Sequence, residues 1–117
     1  MNSPSILAGV LVVAFAVLGS AKLAAVPAMR SRAEHVGLSV SAYRRIGFLE
    51  VLAVLGLIVG AFVPVIGALA AGGLLLLLVG AIFVHLRNGD GVREIAPAVV
   101  LGLLTLTFLV LVVAGLR

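Results

Sequence analysis

The chain has no cysteine and no tryptophan among its 117 residues. Without thiols there is no disulfide framework, no thiol–disulfide exchange, no Fe–S ligation and no cysteine-based zinc site. Charge is scarce as well, with four Asp and Glu, eight Lys and Arg, and 10% charged residues in all. A soluble domain carries about 25%, so this chain has too little polar surface to face water. Aromatic residues make up only 5%. No HExxH, P-loop or Rossmann glycine pattern occurs. The formal charge of +4 does not indicate a nucleic-acid partner, because the basic residues are few and adjoin apolar runs.

What is abundant is apolar: 64% of residues belong to the set AVILMFWYC, 14 more are glycine, and the mean hydropathy is +1.42. The solvent for such a chain is lipid. A helix needs about 20 apolar residues to cross a bilayer core of roughly 30 Å. Four stretches qualify, at about 6–26, 43–63, 65–86 and 96–116. They are continuous rather than alternating, which favours helices over barrel strands. The expectation is an all-α, transmembrane four-helix bundle forming one integral membrane domain. The first stretch lacks a basic n-region and is longer than a leader's apolar core, so it reads as a retained span. The very short turn at Val63-Pro64-Val65 makes spans two and three antiparallel neighbours. A short interfacial helix is expected over about 28–36, with Pro27 suiting its first position and Gly37 its end. Ser39 or Ser41 suits the N-cap of span two.

Arginine positions set an orientation. Arg30, Arg32, Arg44 and Arg45 lie between spans one and two, and Arg87 and Arg93 between spans three and four; the opposite side has Arg117 alone. By the positive-inside rule the loops at 27–42 and 87–95 are cytoplasmic and both termini lie outside, in a bacterial inner membrane. Small residues let helices approach in lipid. Gly56 and Gly60 form a GxxxG, Ala16, Ser20 and Ala24 a stripe on span one, and Gly73 and Gly80 lie a heptad apart. These serve either packing inside one bundle or a homo-oligomer through Gly56 and Gly60.

Three ionisable residues lie inside the spans: Lys22, Glu50 and His85. Each costs up to about 2.5–3.5 kcal/mol near a helix centre. At 1.5 Å per residue, Lys22 and Glu50 both lie roughly 7–8 Å inside their loop boundaries, and His85 is two residues from Arg87. The topology puts all three ends on one face, so the three fall in one layer of the cytoplasmic third. They are the expected ligand or proton pocket: Lys22 and Glu50 as a pair, His85 as a proton donor or acceptor. Tyr43, Arg44, Arg45, Arg87, Asn88, Asp90 and Glu94 are expected at its mouth. Structural readings stand beside this one. Lys22 can snorkel to the headgroups, the arginines can anchor topology or touch phospholipid, and His85 can be merely interfacial. Glu50 is too short to snorkel and needs a partner. Thr105 and Thr107 are expected to bond their own helix backbone, and His35 to be a solvated loop residue. One intramembrane His with one Glu under-ligates zinc, and His35 in a loop is poorly placed to share a haem with His85.

At these residues the chain resembles the DoxX-like family of small bacterial membrane proteins. The matching pieces are Gly19-Ser-Ala-Lys22-Leu, Leu38-Ser-Val-Ser-Ala-Tyr43-Arg-Arg-Ile-Gly47-Phe-Leu-Glu50 and Gly80-Ala-Ile-Phe-Val-His85-Leu-Arg87-Asn-Gly-Asp90. The resemblance implies a four-helix membrane protein with Lys22, Glu50, His85, Arg87 and Asp90 as its characteristic polar positions. It also implies a redox setting, since the name-giving archaeal relatives belong to a thiosulfate:quinone oxidoreductase and some mycobacterial members are linked to a membrane redox-defence complex. Thiol chemistry does not carry over to a chain without cysteine. A quinone, needing an apolar cleft and a proton donor, is the cofactor left open; no metal is expected. Three functions follow: a pocket for a quinone-like or lipid-like ligand beside a membrane redox partner, a structural or assembly subunit, or a small proton-coupled transporter. Small multidrug exporters share the size and the intramembrane carboxylate, but their clefts are aromatic.

Overall fold

The computed structural model describes residues 2–116, so Arg117 lies outside the described residues. Among these, all regular structure is helical: α1 (Ser3–Leu23), α2 (Pro27–His35), α3 (Val40–Val59), α4 (Pro64–Arg87) and α5 (Val92–Gly115). Four are long and one is short. α1, α4 and α5 are long and apolar enough to cross a membrane. α3 does not meet that measure, because Arg44, Arg45 and Glu50 lie within it. The expected second span is therefore a long bundle helix whose first turns are polar.

Local chemistry accounts for the helix limits. Asn2 Oδ1 accepts from Ser5 N at 2.9 Å, which starts α1 earlier than its apolar run suggests. Ser39 Oγ accepts from Ala42 N at 3.0 Å, so Ser39 rather than Ser41 caps α3. Pro27 and Pro64 open α2 and α4, where a missing N–H costs nothing. α5 begins at Val92 rather than near 96, since the Glu94 carboxylate accepts from Gly91 N at 3.0 Å and fixes the first turn. Pro97 thus lies within α5, where it leaves the Arg93 carbonyl without its usual donor.

Three helix ends share one device. After α1, Val26 N bonds Ala21 O and Ala25 N bonds Lys22 O; after α2, Leu38 N bonds Ala33 O and Gly37 N bonds Glu34 O; after α4, Asp90 N bonds His85 O and Gly89 N bonds Leu86 O. These are Schellman motifs, which need a left-handed residue after the cap. Gly37 (φ 74°) and Gly89 (φ 77°) adopt it freely, whereas Ala25 (φ 52°) does so under strain. α1 therefore stops at Leu23, short of Val26.

α1, α3, α4 and α5 form a ring in that order, closed by α1 against α5, with each neighbour antiparallel. α2 lies across the loop end against α1 and α3. α1 buries Leu11, Phe15 and Gly19, four residues apart. Of its small-residue stripe, Ala16 packs against the core, whereas Ser20 and Ala24 are exposed. The core joins Leu11 and Phe15 to Val54, Leu57, Leu74 and Phe108. Outward faces carry Val13, Phe62, Leu69, Leu76, Phe83 and Leu103, all more than half exposed, a surface suited to lipid. Thr105 and Thr107 donate to Leu101 O and Leu103 O, at 2.7 and 2.8 Å, satisfying their hydroxyls within α5.

The GxxxG of α3 is consumed inside the chain. A Cβ at Gly60 would lie 2.5 Å from Gly67 Cα, and one at Gly56 would lie 2.8 Å from Ala70 Cβ. The α3–α4 hairpin uses both glycines for its close approach, so they are not free for the homo-oligomer that the motif suggested. Gly73 and Gly80 meet nothing within 4 Å, and so do not pack within the bundle.

Candidate functional site

The site begins with a second glycine crossing. A Cβ on Gly47 would fall 2.6 Å from both Leu23 N and Lys22 Cβ, and 2.7 Å from Gly19 O. α1 and α3 can approach this closely only because both positions lack a side chain. One turn from the crossing on each helix stand Lys22 and Glu50. Lys22 Nζ donates to Glu50 Oε1 at 2.7 Å, with the Glu50 residue only 2% exposed. The ammonium also lies 5.2 Å from the centre of the Tyr43 ring, within cation–π range. A buried carboxylate without its cation would be strongly unfavourable, so the pair and the crossing depend on each other.

Beside the pair opens a cavity of about 820 Å³. Its inner part is apolar, walled by Phe15, Leu18, Leu77, Leu78 and Leu101. Its outer part is polar, with Lys22, Tyr43, Glu50 and His85 joined by Ser31, Arg32 and His35 of α2 and by Arg93 and Glu94 of α5. Along α4, the eight steps from Leu77 to His85 give it a depth of roughly 12 Å. The size falls within the range of sites for small organic ligands, about 300–1,000 Å³.

A second polar cluster fastens the outer rim. The Schellman turn at Gly89 folds Asp90 back over the last turn of α4. There Asp90 Oδ2 lies 2.6 Å from His85 Nδ1, and Oδ1 lies 2.9 Å from His35 Nε2. Asn88 Nδ2 donates to Asp90 Oδ1 and to the His35 carbonyl, both at 3.1 Å. The hydrogen bond from His85 holds the Asp90 carboxyl below its ordinary value of 3.8; partial desolvation opposes this, and the bonds from His35 and Asn88 reinforce it. As a carboxylate, Asp90 accepts from both rings, which sets His85 as the Nδ1–H donor and leaves its Nε2 without a partner among the described residues. Among the described residues no group of His, Asp and Glu side chains is arranged to hold a metal ion; the two imidazoles address opposite oxygens of Asp90 instead.

The structure thus brings together Lys22, Glu50, His85, Tyr43 and Glu94 around one cavity, with Asp90 behind its rim. It places three of the expected mouth residues elsewhere. Arg44 Nε donates to the Leu23 carbonyl at 2.9 Å, serving one of the last carbonyls of α1. Arg44 and Arg45 line a separate hollow of about 280 Å³ with Leu23, Ser41 and Phe48. Arg87 is exposed, 5.8 Å from the Phe83 ring. All three are turned outward by helix rotation, which residue depth does not encode. His35 is corrected too: it is the last residue of α2 and bonds Asp90 rather than lying free in a loop. Arg32, His35 and Arg93 are the wall residues that depth reasoning missed. The available signal was the periodicity of α2, where Met29 and Ala33 form a buried face and the i, i+3 spacing of Arg32 and His35 puts both on one side of it.

Searches among curated proteins and solved structures returned no significant match. Comparison with family profiles is decisive: residues 6–114 match the DoxX-like family. With three helices suited to crossing a bilayer and almost its whole length matched, the chain is a multi-pass membrane protein that belongs to the DoxX-like family.

Proposed function

We propose that the cavity between α1, α3, α4 and α5 takes an amphipathic ligand, quinone-like or lipid-like, and that the protein acts with a partner in a membrane redox complex. One observation carries this reading: a single cavity joins an apolar interior to a polar outer wall bearing Lys22, Glu50, Tyr43 and His85. A quinone headgroup needs hydrogen-bond partners and a proton source beside an apolar tail slot. His85, oriented by Asp90, and the Lys22–Glu50 pair supply the polar side. The chain brings no electron carrier of its own among its side chains, hence the need for a redox partner. The rim belongs on the cytoplasmic side of a bacterial inner membrane, with both termini outside, by the arginine asymmetry.

The test is ligand retention. Protein purified in mild detergent is exposed to a short-chain benzoquinone or to phospholipid, and bound molecules are measured by native mass spectrometry. A Gly80→Trp variant is the control: Gly80 lies on the cavity wall and a Cβ there meets nothing within 4 Å. Wild-type retention that the tryptophan abolishes supports the reading. Retention by neither protein, or equally by both, sinks it.

A second reading, the assembly subunit, has its own support. Gly72, Gly73 and Gly102 leave open space on α4 and α5, where a foreign helix can approach closely. Crosslinking from cysteines introduced at these positions, in native membranes, tests it. A proton-coupled transporter has less support, since the Glu50 carboxylate is held by Lys22.

A further inference from the structure

The rim of the cavity holds more positive charge than its own acids neutralise. Of the cations on the wall, Lys22 is paired with Glu50. The two histidines answer to Asp90. Glu94, the remaining wall carboxylate, accepts from the backbone of Gly91 and keeps its charge, so Lys22, Arg32 and Arg93 face two carboxylates. That leaves Arg32, from α2, and Arg93, from the first turn of α5, with no acidic partner within 4 Å among the described residues. Arg30 and Arg44, by contrast, bind the carbonyls of Ala25 and Leu23. Two arginines from different helices, both exposed, therefore border one opening, and the space behind them is apolar down to Phe15 and Leu77.

We infer that this cavity takes an anionic amphiphile, its phosphate or carboxylate head held at the rim by Arg32 and Arg93 and its hydrocarbon chain in the apolar interior. The inference rests on the reading of the cavity as a ligand site and narrows it. A neutral quinone head leaves both guanidinium groups unanswered, whereas an oxyanion accepts charge-assisted, forked hydrogen bonds from them. A lone arginine at a membrane surface only attracts anionic lipid diffusely. Two that share a mouth with an acyl-sized slot select head and tail together.

The experiment compares four probes on the full chain in detergent by native mass spectrometry: phosphatidylglycerol, oleate, phosphatidylcholine and a short-chain benzoquinone. Wild-type protein is expected to retain phosphatidylglycerol or oleate, one per chain, at least about tenfold better than phosphatidylcholine. Arg32→Gln with Arg93→Gln is expected to abolish that preference. Arg45→Gln with Arg87→Gln, which removes equal charge away from the cavity, is expected to keep it. All variants are checked for the wild-type thermal midpoint; if the double variant unfolds, the single substitutions Arg32→Gln and Arg93→Gln are read instead, each expected to lose about half of the preference on a logarithmic scale. Phosphatidylglycerol without oleate identifies a phospholipid head, and oleate without phosphatidylglycerol a free fatty acid; either supports the inference. Equal retention of phosphatidylcholine, or equal loss in both double variants, overturns it. Benzoquinone retention that Gly80→Trp blocks and the arginine changes leave intact overturns this inference while the ligand-site reading survives. If no probe is retained, both fall.

Discussion

The two ends of this bundle are made from the same helices but packed by different rules. At the hairpin end, Gly56, Gly60 and Gly67 bring α3 and α4 into backbone contact, and the turn spans only 60–63. At the loop end, one glycine crossing draws α1 and α3 together, while α4 and α5 stand off and leave a cavity. The contrast shows what glycine does in lipid. Where glycines face each other across a helix pair, dispersion holds the pair with no polar group involved. Where a single crossing is followed by Lys22 and Glu50, the helices are also joined by a charge pair, and a lined space opens beside it.

The largest effect separating the two ends is expected at the charge pair. Lys22→Met leaves Glu50 buried and unpartnered and should cost about 3–5 kcal/mol. Lys22→Met combined with Glu50→Leu should recover most of that loss, because an apolar pair satisfies lipid surroundings as well as an ion pair does. Unfolding in detergent micelles, run as a double-mutant cycle, measures the coupling. If the double variant is no better than the single, the pair is not an isolated unit.

The next effect belongs to the hairpin end. Gly60→Ala puts a methyl group against Gly67 Cα, where backbone has to give way, and should cost about 1–3 kcal/mol. Gly73→Ala, on the open face of α4, should instead stabilise by up to about 1 kcal/mol through helix propensity. Opposite signs in thermal unfolding would confirm that packing, not glycine content, organises this end.

A third prediction concerns the rim alone. The Asp90 carboxyl is lowered in the folded protein by its bond from His85. Its contribution is therefore complete above the ordinary carboxylate value and is lost as pH falls through the lowered one. Between pH 7 and about pH 4 the α2 strap should hold; below that, amide exchange across residues 27–35 should rise while exchange in α4 stays slow. Asp90→Asn should show the loosened strap already at neutral pH.

Much of this architecture was legible along the chain, for local reasons. The Ser39 cap, Pro27, Pro64 and the Gly37 stop act within a few residues of themselves. The depth of Lys22 and Glu50 follows from counting residues along two helices of opposite direction, and the structure puts their charged atoms 2.7 Å apart. What depth leaves open is rotation. Arg44 and Arg93 both lie near the start of a helix, yet one binds the end of α1 and the other borders the cavity. His35 and Asp90 are 55 residues apart, and their meeting depends on how α2 lies across the rim. The α3 glycines announced a close contact, but a GxxxG does not say whether its partner is another chain or the next helix.

The smallest effect tests the one helix end that departs from the others. α1, α2 and α4 end in the same hydrogen-bond pattern, with glycine at the left-handed position in two of them and Ala25 in the third. A left-handed L-residue costs roughly 1–2 kcal/mol. Ala25 is nearly buried, so exchange for glycine also gives up one methyl group of packing, about 0.8 kcal/mol. The strain relieved exceeds that loss by a narrow margin, and Ala25→Gly should stabilise the protein by about 0.5 kcal/mol. A rise in the unfolding midpoint would show that the turn into α2 is held under strain by the elements around it. A fall would mean that the Ala25 methyl group matters more to the seating of α2 than the conformation it is forced to adopt.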